Sequence, residues 1–367
     1  MISSPSGRLL AALLIAVAAC SGDTSQRPKD HQAAQGPTLH LVDSVRLEER
    51  PDAFIGMPIA LSVLEHSRQL VIGDAMSGRI FRFASSGALQ TVQGGQGTGP
   101  GEFTAPGPAV ELPDGAIAVS DFATDRLILL ERDGKERSRI GVAGLAFSLA
   151  TDGATIYAGR LVRQAPWTAA IRLDAATGVW TPLGVAPGPY GEAPQLRVAH
   201  PYVSVARQAG ALLVGFTGAN QLVRVADDGS AQELLIPAVR RRLLPADLAA
   251  RFSKPLPDSV IAEMASVLTG LHPIPSGEVA TVHLDTRLRG RRLEAAGWVS
   301  LLDAAGKRAC VDAVLPVRGV GKPLTAVLHD TLLVMEQVAE GGETAPRAMV
   351  YKYLVSRDGC DWQPLPR

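Results

Sequence analysis

Two acidic residues occupy the same place in two similar stretches of the sequence, and carboxylates are natural ligands for a divalent cation. Asp74 ends the apolar stretch 70–74, and Asp121 ends the equivalent stretch 117–121. In each case an arginine follows five residues later. If both stretches face one centre, the two carboxylates could hold a cation such as calcium. Phe216 takes this place in a third copy, which weakens the case for a ring of carboxylates.

A run of three arginines, Arg240, Arg241 and Arg242, is the second feature that could bind a ligand. The planar guanidinium of arginine forms paired hydrogen bonds with carboxylates and phosphates. The run predicts either a solvated loop or an anion-binding rim. Four more arginines lie between positions 287 and 292, and the sequence does not show whether the two groups meet.

Common catalytic motifs are absent from the sequence. It contains no His-Glu-x-x-His zinc motif and no Gly-x-Ser-x-Gly serine motif, and its seven histidines are scattered. The glycine-rich stretch 94–101 does not match a phosphate-binding loop, and we interpret it as a connection between structural units. We therefore predict no catalytic residue and no cofactor, with a divalent cation such as calcium at Asp74 and Asp121 as the open alternative.

The N-terminus predicts export and lipidation. Arg8 precedes an unbroken apolar run from 9 to 19, which is about half the roughly 20 residues that span a bilayer. A short run of this kind after a positive charge is typical of a secretory signal. Residues 17–20 read Val-Ala-Ala-Cys and resemble the bacterial lipobox, which implies cleavage before Cys20 and acylation of Cys20. An ordinary signal peptide with a chance cysteine is the alternative.

These features divide the chain into three parts. We expect residues 1–19 to be a lipoprotein signal peptide, 20–37 a polar flexible tether, and 38–367 the folded body. The lipobox resemblance, with Ser21 after the cysteine, implies a lipid anchor in the cell envelope. The expected place is the outer membrane, facing the periplasm or the cell surface, with the lipid bilayer as partner.

Charge and composition limit the function classes. The chain has 36 Lys and Arg against 36 Asp and Glu, so it carries no general attraction for nucleic acid. Apolar residues make up 46% of the sequence, which is typical of a globular protein. We expect a monomer that does not bind nucleic acid.

Two cysteines remain after Cys20, namely Cys310 and Cys360. Both lie close to a glycine-containing turn near the C-terminal end. An oxidising exported compartment favours a disulfide between them. Two buried thiols are the alternative, because free cysteine is a normal core residue.

A repeated unit predicts the fold. In three copies an apolar strand is followed by a second strand and then by a turn glycine, at Gly87, Gly134 and Gly229. The strand-ending position lies thirteen residues before that glycine each time, and Asp74 and Asp121 are 47 residues apart. Three weaker copies bring the number to six. This period is typical of a four-stranded propeller blade, so we predict an all-β, six-bladed β-propeller. The alternating stretch 38–47 should close the ring as the outer strand of the last blade.

One stretch resembles a known family. Residues 95–106 (Gly-Gln-Gly-Thr-Gly-Pro-Gly-Glu-Phe-Thr-Ala-Pro), followed by 112–121 and Asp125-Arg126, resemble an NHL repeat. The resemblance covers roughly residues 90 to 135 and implies an NHL-like six-bladed propeller of the bacterial lipoprotein type. It also implies that Asp74 and Asp121 pair with the following arginine or cap a turn, which competes with the metal hypothesis.

Residues 237–272 interrupt the rhythm of the repeats. Within this stretch, 245–252 and 258–268 have apolar residues at helical spacing, and Gly270 could end the second helix. We predict a small helical insertion between blades four and five. It either carries function or covers a blade edge.

Two functions remain open. The first is a membrane-anchored envelope lipoprotein whose propeller is a binding or scaffold module for an unknown ligand. The second is an enzyme, a metal-dependent hydrolase or lyase similar to propeller lactonases. The absence of catalytic motifs favours the first, although fold alone does not decide function.

Overall fold

The computed structural model describes residues 36–142, 146–159, 168–185, 203–216, 221–243, 266–289, 292–339 and 346–366. Over these ranges the regular elements are all β-strands, numbered β1 to β25 in chain order. They form six sheets, which we call blades 1 to 6. The prediction of an all-β, six-bladed propeller is therefore confirmed.

The blades follow each other along the chain. Blade 1 contains β2 (Pro58–Val63), β3 (Leu70–Asp74), β4 (Arg79–Phe83) and β5 (Leu89–Gly94). Blade 2 contains β6 (Pro106–Glu111), β7 (Ile117–Asp121), β8 (Arg126–Leu130) and β9 (Glu136–Gly141). Blade 3 contains β10 (Ser148–Asp152), β11 (Thr155–Gly159), β12 (Thr168–Asp174) and β13 (Trp180–Val185).

The second half repeats this plan. Blade 4 contains β14 (Val203–Gln208), β15 (Ala211–Phe216), β16 (Gln221–Ala226) and β17 (Ala231–Leu235). Blade 5 contains β18 (Val267–Pro273), β19 (Val279–Arg289), β20 (Arg292–Leu302), β21 (Arg308–Leu315) and the short β25 (Gln363–Pro364). Blade 6 contains β22 (Val320–Leu328), β23 (Thr331–Val338), β24 (Arg347–Ser356) and β1 (Thr38–Arg46).

The ring closes through the N-terminal strand. The innermost strands β2, β6, β10, β14, β18 and β22 each contact the next, and β22 contacts β2. Strand β1 pairs antiparallel with β24 from Thr38 opposite Ser356 to Arg46 opposite Met349. Because the two ends of the chain share blade 6, the circle of blades is held by a full strand ladder, as expected for stretch 38–47.

The C-terminal tail makes a second closure. After β24 it returns to blade 5, where Cys360 is disulfide-bonded to Cys310 in β21. Strand β25 then pairs with β21 through Gln363 opposite Ala309. The tail therefore fastens blade 6 to the outer edge of blade 5.

The hydrophobic core lies between neighbouring blades. Every residue of β3 and of β7 is buried, because a second strand of a blade has a neighbouring blade on both faces. Phe81 and Phe83 stack with ring centroids 6.4 Å apart in the core between blades 6 and 1. At Gly73 the backbone of Pro106 in blade 2 comes so close that a Cβ would overlap its carbonyl oxygen.

The predicted helical insertion is not supported. Its last residues, from Val267 onward, form strand β18, and Gly270 lies within that strand instead of ending a helix. Residues 237–243 are irregular, and the remainder of the predicted insertion, 244–265, lies outside the described residues. The prediction was wrong at this end because a short apolar run fits a helical period and a buried strand almost equally well.

The glycine-rich stretch 94–101 connects β5 to β6, as we interpreted it. Arg139 in β9 donates from its guanidinium to the carbonyl oxygens of Thr98 and Gly99, each at 2.7 Å. The same guanidinium is ion-paired with Glu136 at 2.7 Å. Blade 2, which follows this stretch, thus fixes the path of residues 98–99.

Candidate functional site

The six innermost strands enclose a cavity of about 330 Å³ on the propeller axis. All six contribute lining residues, so the cavity is bounded by every blade. Its size is at the lower end of the range for small-molecule sites. We call the end at which the innermost strands begin the mouth of the channel.

At the mouth the innermost strand is bulged in blades 1, 2, 5 and 6. Pairing with the second strand slips at Ile59, at 107–108, at Thr269 and at 321–323. The corresponding described pairing in blades 3 and 4 is regular. A bulge redirects side chains, and bulges are over-represented beside active sites. Residues of all four bulges line the cavity.

Lys322 lies in the largest of these bulges, between Gly321 and Pro323. It lines the cavity and is exposed to the space of the channel. The pKa of its ammonium is lowered because the surrounding strands displace solvent from it. The mouth therefore holds a lysine whose charged form is disfavoured by burial.

The opposite part of the mouth is apolar. Phe122 follows β7 and Phe147 precedes β10, and their ring centroids are 4.8 Å apart with an interplanar angle of 43°. Both rings are half-buried and line the cavity. Phe122 lies over Gly107, where a Cβ would be 2.6 Å from its ring. Ile59 and Pro108, both from bulges, line the cavity beside this aromatic pair.

A polar pair lies deeper in the channel, between blades 5 and 6. His272 Nε2 and Thr325 Oγ1 are 2.8 Å apart. Burial lowers the pKa of His272 to about 4, so the imidazole is neutral at physiological pH. A Cβ on Gly270 would overlap the imidazole, so the glycine makes room for this hydrogen bond.

The far end of the channel carries an arginine whose charge is already balanced. Arg207 is ion-paired with Asp152 at 2.7 Å and with Asp227 at 3.0 Å. Its guanidinium also lies over the ring of Tyr157, 5.0 Å from the centroid. Burial disfavours the charge of Arg207, but the two carboxylates raise its pKa above the ordinary value.

Asp74 and Asp121 hold the segments that lead into their own blades. Asp74 accepts hydrogen bonds from the N–H of Met57 and from the N–H and hydroxyl of Ser77. Asp121 accepts from the N–H groups of residues 104–105, at 3.1 and 2.9 Å. Neither is among the residues that line the cavity. Their geometry is that of carboxylates that cap a turn.

Glu336 does the same in blade 6. Its carboxylate accepts from the N–H groups of Arg318 and Gly319, at 3.0 and 3.1 Å, at the start of β22. Burial raises the pKa of Glu336, and this effect outweighs the hydrogen bonds from the two N–H groups, which lower the pKa. Over the described part of the chain, no three His, Cys, Asp or Glu side chains are grouped so as to hold a metal ion.

Two arginines of the predicted anion-binding rim are ion-paired with carboxylates of blade 5. Arg241 is buried and ion-paired with the buried Asp312. Arg242 is ion-paired with Asp285, which Arg287 also contacts at 3.1 Å. The two arginine groups of the sequence therefore meet at one carboxylate.

The third arginine of this run faces an aromatic ring. The guanidinium carbon of Arg240 lies 5.9 Å from the centroid of the Trp298 ring. An external anion at this rim would compete with carboxylates for the neighbouring Arg241 and Arg242.

Of the sequence-predicted site residues, Cys20 lies outside the described residues. In the described ranges there is no helix that is long and apolar enough to span a membrane. Sequence reasoning missed Lys322 and the aromatic pair Phe122 and Phe147. The one local signal was the Gly-Lys-Pro tripeptide, in which a charged residue stands between two residues that often mark a strand irregularity.

Comparisons with known proteins agree on the fold. No family model matches the sequence, and no curated protein matches it. A member of the DUF4221 family from Bacteroides vulgatus matches with a TM-score of 0.59 at 10% identity, over 88% of this chain and 99% of that one. A gluconolactonase from Xanthomonas campestris matches with a TM-score of 0.51 at 12% identity, over 90% and 95%.

At such low identity these similarities show the fold alone. The NHL resemblance of residues 90–135 stays a prediction, because no family model supports or replaces it. The chain is therefore a six-bladed β-propeller whose family is not assigned by sequence.

Proposed function

We propose that this chain is an envelope lipoprotein whose propeller binds a small organic anion at the mouth of its central channel. The observation that carries the proposal is the position of Lys322, on a bulge of the innermost strand and facing a cavity of about 330 Å³. The sequence favours the same function class, a binding module with no catalytic motif.

The test is a binding experiment on the purified full chain. Organic acids are titrated calorimetrically into the wild type, into Lys322→Met and into the control Lys135→Met, which removes an exposed lysine from a turn. A hydrogen bond to a charged group contributes about 1.5–3 kcal/mol, so Lys322→Met should weaken binding by at least roughly tenfold. If Lys322→Met binds every acid as the wild type does, the proposed site is wrong.

The anchor is the second part of the proposal. The lipobox-like end of the signal sequence supports acylation at Cys20, with the polar stretch 20–37 as tether. Mass spectrometry of the mature N-terminal peptide should show an acylated cysteine, and Cys20→Ser should release the protein from the membrane fraction. An unmodified N-terminus that begins elsewhere would refute the anchor but leave the channel proposal intact.

The metal-dependent hydrolase or lyase stays the competing hypothesis. It predicts a stoichiometric divalent ion and a melting temperature that falls when a chelator is added. Substituting Asp74 or Asp121 by Asn distinguishes the two roles of these carboxylates. The capping role predicts lower stability with or without calcium, whereas the metal role predicts loss of a calcium-dependent stabilisation.

A further inference from the structure

Exposed apolar side chains surround the place where the N-terminal part of the chain joins the propeller. Gly36 and Pro37 are buried, and a Cβ on Gly36 would lie 2.8 Å from the backbone nitrogen of Ala313 in β21. The chain then forms β1, which pairs with β24 and also contacts β21. The large apolar side chains exposed on these three strands, which we call the edge patch, are Leu41 (48%), Val42 (57%), Val314 (51%) and Leu354 (36%).

The edge patch lies on the circumference of the propeller. Strand β1 is the outermost strand of blade 6, and its pairing with β24 slips between Leu41 and Asp43, so that Val42 is an extra residue in a bulge. The charged residue next to Val42 is Asp43, which is ion-paired with Lys352 at 2.8 Å. The edge patch is therefore apolar, and the adjacent carboxylate has its own counter-charge.

We infer that the edge patch contacts the lipid bilayer to which the acylated Cys20 is fixed. The inference rests on the lipid anchor of the proposed function and adds the surface of the propeller that faces the membrane. Fifteen residues separate Cys20 from Gly36, and this length can span at most about 55 Å. Because Leu41 comes three residues after the start of β1, the edge patch is the exposed apolar surface nearest to the anchor along the chain.

The anchor makes a small apolar patch sufficient for this contact. Membrane binding grows with the apolar area that is buried, and four aliphatic side chains bury little. A lipid anchor on the same chain turns the contact into an intramolecular one, which raises the effective concentration of the patch at the bilayer.

The position of β1 limits how deeply the patch can enter the bilayer. Within the described residues no strand pairs with the outer side of β1, so its outward N–H and C=O groups need water. The edge patch should therefore lie among the lipid headgroups and not in the hydrocarbon core. A propeller that rests on its edge in this way keeps the mouth of its channel open to the aqueous side.

The experiment measures how close the edge patch lies to lipid. The full chain with its lipid anchor is purified from membranes as wild type, Val42→Trp and the control Val179→Trp, and is reconstituted on phosphatidylcholine vesicles. Val179 is 62% exposed and precedes β13 of blade 3, which is opposite blade 6 in the ring. Part of the phospholipid carries bromine, which quenches tryptophan fluorescence on contact, either near the headgroup or near the end of the acyl chain. Flotation and melting temperature are measured for each variant.

The tryptophan introduced at position 42 should lose fluorescence to the brominated lipid. The four tryptophans of the wild type give the background that is subtracted from each variant. Bromine near the headgroup should quench the added emission of Val42→Trp, and bromine near the chain end should quench it less. The added emission of Val179→Trp should be unchanged by either lipid.

Two results would overturn the inference in distinguishable ways. If Val42→Trp floats with the vesicles but is quenched no more than Val179→Trp, the edge patch does not face the bilayer and the lipid anchor still stands. If the wild type does not float with the vesicles, the anchor itself is wrong, and the inference fails with it.

Discussion

Replacing Asp312 should destabilise the fold, because Asp312 and Arg241 form a buried ion pair. The side chains are 0% and 1% exposed, and the carboxylate also accepts from the N–H groups of residues 239 and 240 at 2.6 and 2.7 Å. Burial disfavours the charge of Asp312, but Arg241 and the backbone donors hold its pKa below the ordinary value. The pair ties the segment after blade 4 to β21 of blade 5.

The perturbation is Asp312→Asn, which removes the charge and keeps an acceptor oxygen. Asn also tolerates the positive φ of 64° at this position. The variant removes the carboxylate charge that is paired with the buried Arg241, and breaking a buried pair in this way costs about 3–5 kcal/mol. For a body of about 330 residues, 1 kcal/mol corresponds to about 1.5 °C, so we expect the melting temperature to fall by about 4–7 °C.

The matched control is Asp43→Asn at a surface pair. Asp43 is 53% exposed in its side chain and lies 2.8 Å from the Nζ of Lys352. Exposed pairs contribute about 0–1 kcal/mol, so this variant should melt within about 1.5 °C of the wild type. The double variant Arg241→Met with Asp312→Asn should recover at least half of the loss, because it removes both charges of the buried pair. If calorimetry gives Asp312→Asn the same melting temperature as Asp43→Asn, this reasoning is refuted.

The stability of the fold should also depend on the pH at His272, on the packing at Gly73 and on the disulfide bond. The pKa of His272 is about 4 in the folded chain, so the free energy of unfolding should fall by about 1–3 kcal/mol between pH 6.5 and 4. When the free energy of unfolding in urea is measured against pH, His272→Gln should show a smaller fall over this range. Gly73→Ala should lower the free energy of unfolding in urea by about 1–3 kcal/mol because a Cβ there overlaps the backbone of Pro106, whereas a wild-type value would contradict the close approach of blades 1 and 2. Reducing the disulfide bond between Cys310 and Cys360, which are 50 residues apart, should lower the free energy of unfolding by about 4 kcal/mol. Denaturation curves that are the same with and without reductant would argue against the bond.

The sign of the His272 effect follows from linkage. The unfolded imidazole takes up its proton near pH 6.5, whereas the folded one does so only near 4. Between these values the unfolded state binds more protons, so stability is lost as the pH falls through this window. The lower end of the expected loss of about 1–3 kcal/mol allows for the partial exposure of the His272 ring to the channel.

The ring of six blades could be predicted because each blade carries its own local signal. Asp74 and Asp121 end buried strands, and Gly87 and Gly134 adopt φ of 90° and 89° in the turns thirteen residues later. These are short-range patterns that repeat along the chain. The prediction of a helix at the end of the insertion failed because the spacing of Val267 and Leu268 fits either a helix or a strand.

The candidate site could not be predicted because it is assembled across the ring. Lys322 and Phe122 are 200 positions apart in the sequence and line the same cavity only because the blades form a circle. The arginine run predicted an anion-binding rim because its charges are adjacent along the chain. Its counter-charge Asp312 lies about seventy residues away, so a run that suggested a ligand site has internal partners.

Competitive amine labelling reports on anion binding at Lys322. The full chain is treated with limiting acetic anhydride, with and without saturating naphthalene-2-carboxylate, and acetylation of Lys322 and of the exposed Lys135 is followed by peptide mass spectrometry. If the mouth of the channel binds organic anions at Lys322, the acid slows acetylation of Lys322 and leaves Lys135 unchanged. If the acid leaves the acetylation rate of Lys322 unchanged, the mouth of the channel does not bind this anion at Lys322.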